Sequence, residues 1–277
     1  AALFPAFFWL PASYHTPAFT TSAVFAALLT KVGIYALLRV FTLIYDIDGT
    51  PIQDVLLWAA VLTMIVGALG ALSQFTVRRV LNFSIISSVG YVILGLALNT
   101  GMAIVAALFY LFQDVIVKVS LFFGAGAAAR MTGSERFDES GGLWRSRPWF
   151  SALFLLSALS LAGVPPFAGF WAKLLVVRAT LDAGSLTLTF IALAVGFLTL
   201  FAMARVWAAV FWSGHPDGDY AITERTPAAM LVPLIVMTAL IVWIGIDAGR
   251  FIDIAMTAAN QVLDPEAYLS TVLGDAK

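Results

Sequence analysis

Five residues in this 277-residue chain have the types and positions needed to move protons: His15, Lys31, Asp114, Lys118 and Lys173. A lysine stripped of water holds its proton less tightly and can exchange it near neutral pH, whereas a carboxylate beside it favours the charged form again. Asp114 and Lys118 stand four residues apart with the acid first, the favourable order for a pair on one helix face. A structural ion pair would have the same spacing, and Lys31 alone would also fit a lysine held by a carbonyl of a neighbouring helix. Three lysines on three apolar segments, with one acid among them, fit a switchable proton carrier better than three separate anchors. His15 lies where one helix ends and the next begins, a place that suits proton exchange and a solvated loop equally.

The elements that must hold these groups are membrane spans. Hydrophobic residues make up 61% of the chain, charged residues only 11%, and the mean hydropathy is +0.97, values that exclude a soluble domain. The net charge of -1 argues against a nucleic-acid surface. The absence of cysteine excludes disulfides, thiolate metal sites and iron–sulfur ligation within the chain, and two distant histidines, His15 and His215, do not suggest a haem pair. No metal site or cofactor is expected. Apolar runs at 18–41, 55–75, 83–98, 102–127, 149–177, 185–212 and 227–246 are long enough to cross a bilayer, so the reading is an all-α, polytopic helical bundle of seven spans. Residues 1–10 are apolar but too short to span and carry no signal-peptide features, which reads as the end of a helix belonging to a longer protein.

The run at 153–178 is broken by Gly163-Val164-Pro165-Pro166, with Lys173 shortly beyond. Pro165 and Pro166 donate no backbone N–H, so the helix is expected to be interrupted near residues 163–167. Irregular backbone at that depth is tolerated where it is buried in protein or lines a cavity, which makes the break a candidate ion site. No acid lies within four residues of Lys173, leaving its charge to water, to carbonyls freed at the break, or to deprotonation.

The connections are expected to be a tight turn at Leu98-Asn99-Thr100-Gly101, turn-rich loops at 46–51 and 214–218, and a solvated loop of mixed charge at 130–147. Arg78, Arg79, Arg130, Arg136, Arg145 and Arg147 fall in loops on one face, while Asp46, Asp48, Asp54 and Asp182 face the other with Arg178 alone. The arginine-rich face is therefore expected to be cytoplasmic. Arg39 and Arg205 lie near span ends, where arginines usually snorkel to water. The tail after Asp247, with Asp253, Asp264, Pro265 and Glu266, reads as weakly amphipathic and suited to the membrane interface or a partner. The many aromatic residues, Phe122, Phe123, Trp171 and Trp212 among them, read as lipid-facing or belt residues.

Three stretches carry a family resemblance: Phe4-Pro5-Ala6-Phe7-Phe8-Trp9-Leu10-Pro11-Ala12-Ser13-Tyr14-His15-Thr16-Pro17, then Leu28-Leu29-Thr30-Lys31-Val32-Gly33-Ile34-Tyr35, then residues 159–173, LSLAGVPPFAGFWAK. They resemble the proton-translocating antiporter-like subunits shared by respiratory complex I and Mrp-type cation/proton antiporters, with wording most similar to the D-type subunits of Mrp antiporters. The resemblance implies a fourteen-helix subunit with two inverted five-helix repeats, each with a broken helix and half of a proton path, of which this chain is the second half. Residues 1–17 would be the end of the first broken helix and its loop, and 18–54 the last helix of the first repeat with an outward loop. Residues 55–212 would form the second repeat, 213–247 a loop and closing helix, and 248–277 an interfacial tail. A family lysine and glutamate would precede Ala1.

By position, Lys31 matches the lysine that bridges the repeats, Lys118 the central lysine of the second repeat, and Lys173 the terminal lysine on its broken helix, while His15 matches a loop histidine beside the bridging helix. Asp114 falls where complex I relatives often have histidine. It is left open whether Asp114 relays protons or only sets the charge of Lys118. The implied activity is transport, not enzymatic catalysis. It is proton movement along His15, Lys31, Lys118 and Lys173 within a hetero-oligomeric Na+/H+ antiporter of the cell membrane, a bacterial plasma membrane, with other subunits, protons, Na+ and lipid as partners. A proton-pumping subunit of a redox-driven complex is the first alternative, and a structural membrane scaffold is the second.

Overall fold

The computed structural model describes residues 1–45, 47–216, 228–264 and 270. Asp46, Asp217, Gly218, Pro227, Pro265 and Glu266, named above in loops, a span end and the tail, lie outside the described residues. Ala6–Phe8 form a 3-10 turn leading into α1 (Trp9–Tyr14), followed by α2 (Phe19–Arg39), which runs on through a π-helical turn at Val40–Ile44. Next come α3 (Pro51–Ser73), α4 (Val77–Leu98), α5 (Gly101–Thr132) and a short α6 (Leu143–Ser146). The bundle continues with α7 (Pro148–Ala162), α8 (Ala168–Asp182), α9 (Leu186–Trp207) with a π turn at Ala208–Trp212, α10 (Ala228–Ile246) and α11 (Ala248–Leu263).

Six of these helices are long and apolar enough to cross a membrane, and the shorter apolar α7 leads into α8 across the interruption of the remaining run. The described chain is a helical multi-pass membrane bundle. α4 is its axis: nearly all of it is buried, whereas the helices around it expose wide apolar faces, as at Leu28, Val32, Trp58, Phe190 and Phe197. That inverted pattern suits lipid as the surrounding solvent. Two ends are fixed by loop contacts. At one, Thr76 and Arg136 form an antiparallel bridge, the Phe137 N–H donates to the Phe75 carbonyl (3.0 Å), and the Gly142 N–H donates to the Ser213 carbonyl (2.6 Å). At the other, the Gln53 side-chain amide donates to the Ala97 carbonyl (3.0 Å) and the Asn99 amide donates to Asp48 (2.9 Å).

The tight turn between α4 and α5 forms as its sequence requires. Asn99 takes a left-handed conformation (φ 49°) to end α4, and the Thr100 hydroxyl accepts from the Ala103 N–H to start α5. Four expectations need correction. The third span, expected at 83–98, starts at Val77 rather than at residue 83, so Arg78 and Arg79 are helical. A charge inside a helix end is tolerable here because both Glu135 carboxylate oxygens accept from the Nε–Nη2 edge of the buried Arg78 guanidinium (2.6 to 3.1 Å), the Pro17 carbonyl accepts from Nη1, and the Phe19 ring lies 3.7 Å away. The 130–147 loop is correspondingly only partly solvated: α5 extends to Thr132, and Ser140 and Leu143 are buried. Arg205 does not reach for water either. It donates to the carbonyls of Leu72 and Gln74 at the C-terminus of α3, where a cation complements the helix dipole.

The fourth correction concerns the tail expected to be weakly amphipathic: α11 is strongly so. Ala248, Ala255 and Ala259 are buried at helical spacing, Phe251 stacks on Phe112 of α5 and meets Trp243 of α10 edge-on, and Arg250 and Asp253 face outward.

Candidate functional site

The expected interruption lies at residues 163–167, where α7 ends and α8 begins. Gly163 closes α7 in a left-handed conformation (φ 88°), its N–H donating to the carbonyls of Leu159 and Ser160 (3.0 Å each). The Pro165–Pro166 peptide is cis. Two contacts dock the break on the bundle: the Trp171 indole donates to the Gly245 carbonyl of α10 (2.9 Å), and the Gly169 N–H donates to the Ser160 hydroxyl (3.2 Å). Gly245 has to be glycine because a Cβ there would run into the Pro166 carbonyl. Beside the break, the hydroxyls of Ser120, Ser157 and Thr238 meet at 2.7 to 3.3 Å and pin α5, α7 and α10 together.

Lys173, on the second turn of α8, folds back over the break so that its Nζ donates to the carbonyl of Ala162 (2.7 Å), the last residue of α7. This carbonyl is one of those left free by the interruption, so a helix C-terminus receives the ammonium. Among the described residues Lys173 has no carboxylate partner in salt-bridge range. A cavity of about 320 Å³ opens beside it, walled by Tyr91, Gly163, Phe170, Leu193, Gly196 and Phe197.

Lys31 and Asp114 meet across α2 and α5. Lys31 Nζ donates to Asp114 Oδ2 (2.7 Å) and to the Ala26 carbonyl of its own helix (3.0 Å), and both residues are buried. The expected partnership of Asp114 with Lys118 is therefore secondary. Lys118 Nζ lies 3.9 Å from Asp114 Oδ1 and donates instead to the Ser84 hydroxyl of α4 (2.7 Å). The reason is tertiary. Spacing on α5 places the two residues on one face, but α2 packs against that face and brings the closer cation. Asp114 thus stands between two lysines with Oδ1 turned toward the second and lacking a hydrogen bond, as do the neighbouring buried Gln113 Oε1 on α5 and Thr30 Oγ1 on α2. A buried charge pair with incomplete hydrogen bonding contributes little net stability, so stability alone does not account for it.

His15 stands apart from this cluster. It caps α1 on an exposed site, with Nδ1 3.2 Å from the Pro11 carbonyl. Of the five sequence candidates, Lys31, Asp114 and Lys118 are brought into one buried group, Lys173 occupies the break, and His15 is not joined to them. Sequence reasoning missed the groups that line the space between: Ser84, Ser88 and Tyr91 on α4 and Tyr110 on α5, all buried. Their signal was polar residues at helical spacing within an otherwise apolar span. It also gave no role to His215, which is buried against the Thr132 carbonyl at the end of α5 (3.3 Å).

The class of protein is a multi-pass helical membrane bundle with a broken helix, which carries three lysines and an aspartate where ionisable side chains are rare. The chain matches the family described as NADH:quinone oxidoreductase/Mrp antiporter, TM, over residues 1–199, and belongs to it. Among curated relatives, it is 41% identical to the D-type Na(+)/H(+) antiporter subunit of Alkalihalophilus pseudofirmus, over 98% of this chain and 55% of that protein. Among solved structures, a chain of the Mrp complex from Dietzia sp. superposes with a TM-score of 0.92 at 30% identity, over 99% of this chain and 59% of that one. A chain of the membrane-bound sulfane sulfur reductase, an archaeal respiratory membrane complex, superposes with a TM-score of 0.86 at 27% identity, over 98% of this chain and 55% of that one. The chain thus spans little more than half the length of these relatives.

Proposed function

We propose that this chain forms half of the proton path in a membrane subunit of a multi-subunit Na+/H+ antiporter, a complex of a bacterial plasma membrane. The observation that carries the reading is the buried sequence Lys31, Asp114, Lys118 followed by Lys173 at the helix break. Protons pass between these lysines through hydrated space, and Asp114 shifts its charge partnership between Lys31 and Lys118. Both lysines lie within 3.9 Å of the one carboxylate, so a proton leaving either lets the acid turn fully to the other. Lys173, held by a carbonyl and beside an open cavity, is the terminal carrier. His15 enters only as a surface group that exchanges protons near α2. In this reading residues 55–212 act as one five-helix repeat, residues 1–17 and 18–54 finish the repeat before it, and residues 213–247 and 248–277 close the subunit. The other subunits supply the rest of the complex, with Na+ as the exchanged cation.

The identity to a Na(+)/H(+) antiporter subunit over nearly the whole chain favours this reading over a redox-coupled pump. The test is proton flux in everted vesicles containing the assembled complex. Lys173→Ala is expected to assemble but not transport, and Lys173→Arg, which keeps the charge but does not release its proton, is expected to fail as well. Full transport by the arginine variant would show that charge alone suffices and would overturn the carrier role.

A further inference from the structure

Between Lys118 and Lys173 the described residues place no Asp or Glu side chain in salt-bridge contact with either lysine except Asp114, and two tyrosines lie in that region. The helices α4 and α5 run antiparallel from their tight turn, and their facing residues form a polar ladder. Lys118 Nζ meets Ser84 Oγ, the Ser88 hydroxyl donates to the Ser84 carbonyl (2.9 Å), and the Tyr91 and Tyr110 rings stack at 5.1 Å with 12° between their planes. Ser84, Ser88 and Tyr91 recur at one face of α4, and Tyr110, Asp114 and Lys118 at one face of α5. The far end of the ladder touches the terminal lysine: Lys173 Nζ lies 5.9 Å from the Tyr91 ring centroid, and Tyr91 walls the Lys173 cavity. Tyr91 is itself fixed, because its hydroxyl donates to the Ala192 carbonyl of α9 (2.6 Å).

We propose that the stacked Tyr91–Tyr110 pair joins the central cluster to the terminal carrier, Tyr91 positioning the Lys173 ammonium at the break and Tyr110, one turn from Asp114 on the same face of α5, holding the Tyr91 ring in its stack. The inference rests on the lysine-path reading above. A ring face attracts a cation, and at this distance the attraction is at the outer edge of its useful range. It orients the ammonium rather than trapping it, which a carrier that must move requires. The groups facing Lys173 are the Tyr91 ring from α4, the Ala162 carbonyl from α7 and, through space, the charges of Asp114 and Lys118 from α5, while α9 presents Gly196 and apolar side chains. The two tyrosines therefore couple two sites that share no direct hydrogen bond among the described residues.

The test measures the pH profile of cation-driven proton flux in vesicles containing the assembled complex. Tyr91→Leu, which removes the ring, is expected to lower flux roughly tenfold and to move the profile about half a pH unit downward, because the protonated lysine loses its ring contact. Tyr91→Phe, which keeps the ring and loses only the tether to Ala192, is expected to recover much of that flux with the profile close to its original position. Tyr110→Leu removes the ring that stacks on Tyr91, and it is expected to lower flux about threefold with a displaced profile. A Tyr91→Leu profile identical in position to the wild type overturns the proposal. If Tyr91→Leu does not assemble, an unchanged Tyr110→Leu profile overturns it instead. Normal flux by Lys173→Ala would sink the underlying lysine path, whereas failure of Lys173→Ala beside unaltered tyrosine variants sinks only this inference.

Discussion

At the scale of single residues, the Lys31–Asp114 contact decides most. Its 2.7 Å geometry makes Asp114 the counter-charge of α2, so the first consequence of Asp114→Asn falls on Lys31 rather than on Lys118. Leaving one member of a buried pair uncompensated costs about 3–5 kcal/mol, so the variant is expected to lower the thermal midpoint of the extracted complex as well as its transport. Replacing both partners by apolar residues, Lys31→Met with Asp114→Leu, is expected to return much of that stability and none of the transport. Gel-filtration after a heat step and a flux assay read the two effects separately. Recovery of transport by the double variant would mean that the pair only holds α2 to α5.

At the scale of elements, the break is a joint between two half-helices whose close approach depends on glycine. A Cβ at Gly163 would press on the Lys173 side chain at 2.7 Å and would force a side-chain residue into a backbone with φ 88°. Gly163→Ala is therefore expected to cost about 1 kcal/mol in backbone strain and to push Lys173 off the Ala162 carbonyl, cutting flux more than stability. Gly245→Ala should act from the opposite side, since α10 would have to withdraw from the Pro166 carbonyl and the Trp171 hydrogen bond would lengthen. Its readout is weakened assembly on heating. A Gly245 variant with unchanged assembly and flux would show that α10 does not clamp the break.

At the scale of the whole molecule, the bundle has two chemically different ends. The absence of cysteine from these 277 residues makes them easy to distinguish. Arg136, exposed beside the α3–α4 turn, lies at the arginine-rich end, and Asp182, exposed at the end of α8, lies at the other. A lone cysteine at Arg136 is expected to react with an impermeant maleimide only in everted vesicles, and one at Asp182 only in right-side-out vesicles. The reverse labelling would invert the bundle, and with it the direction of the path from Lys31 to Lys173.

Much of this organisation is legible in the sequence, because the bilayer imposes strict local rules. Long apolar runs must become helices, a Pro165-Pro166 pair must interrupt one of them, and Lys31, Lys118 and Lys173 stand out because charge is rare at such depth. Local rules misplace Arg78 in a loop because its charge hides the helix start, and only Glu135, from a distant loop, supplies the neutralising partner. Nor can they rank the partners of Asp114. Spacing along α5 offers Lys118, and only the packing of α2 against α5 brings Lys31 nearer. The same holds for the polar lining: Ser84, Ser88, Tyr91 and Tyr110 are ordinary residues until α4 is buried at the axis of the bundle and its face is turned to α5. Which segments cross, and where charge is buried, follow from the chain alone, since they depend on transfer from water and on backbone satisfaction along it. Which buried charges meet is settled only by packing, since that depends on the rotation and depth at which separate helices come together.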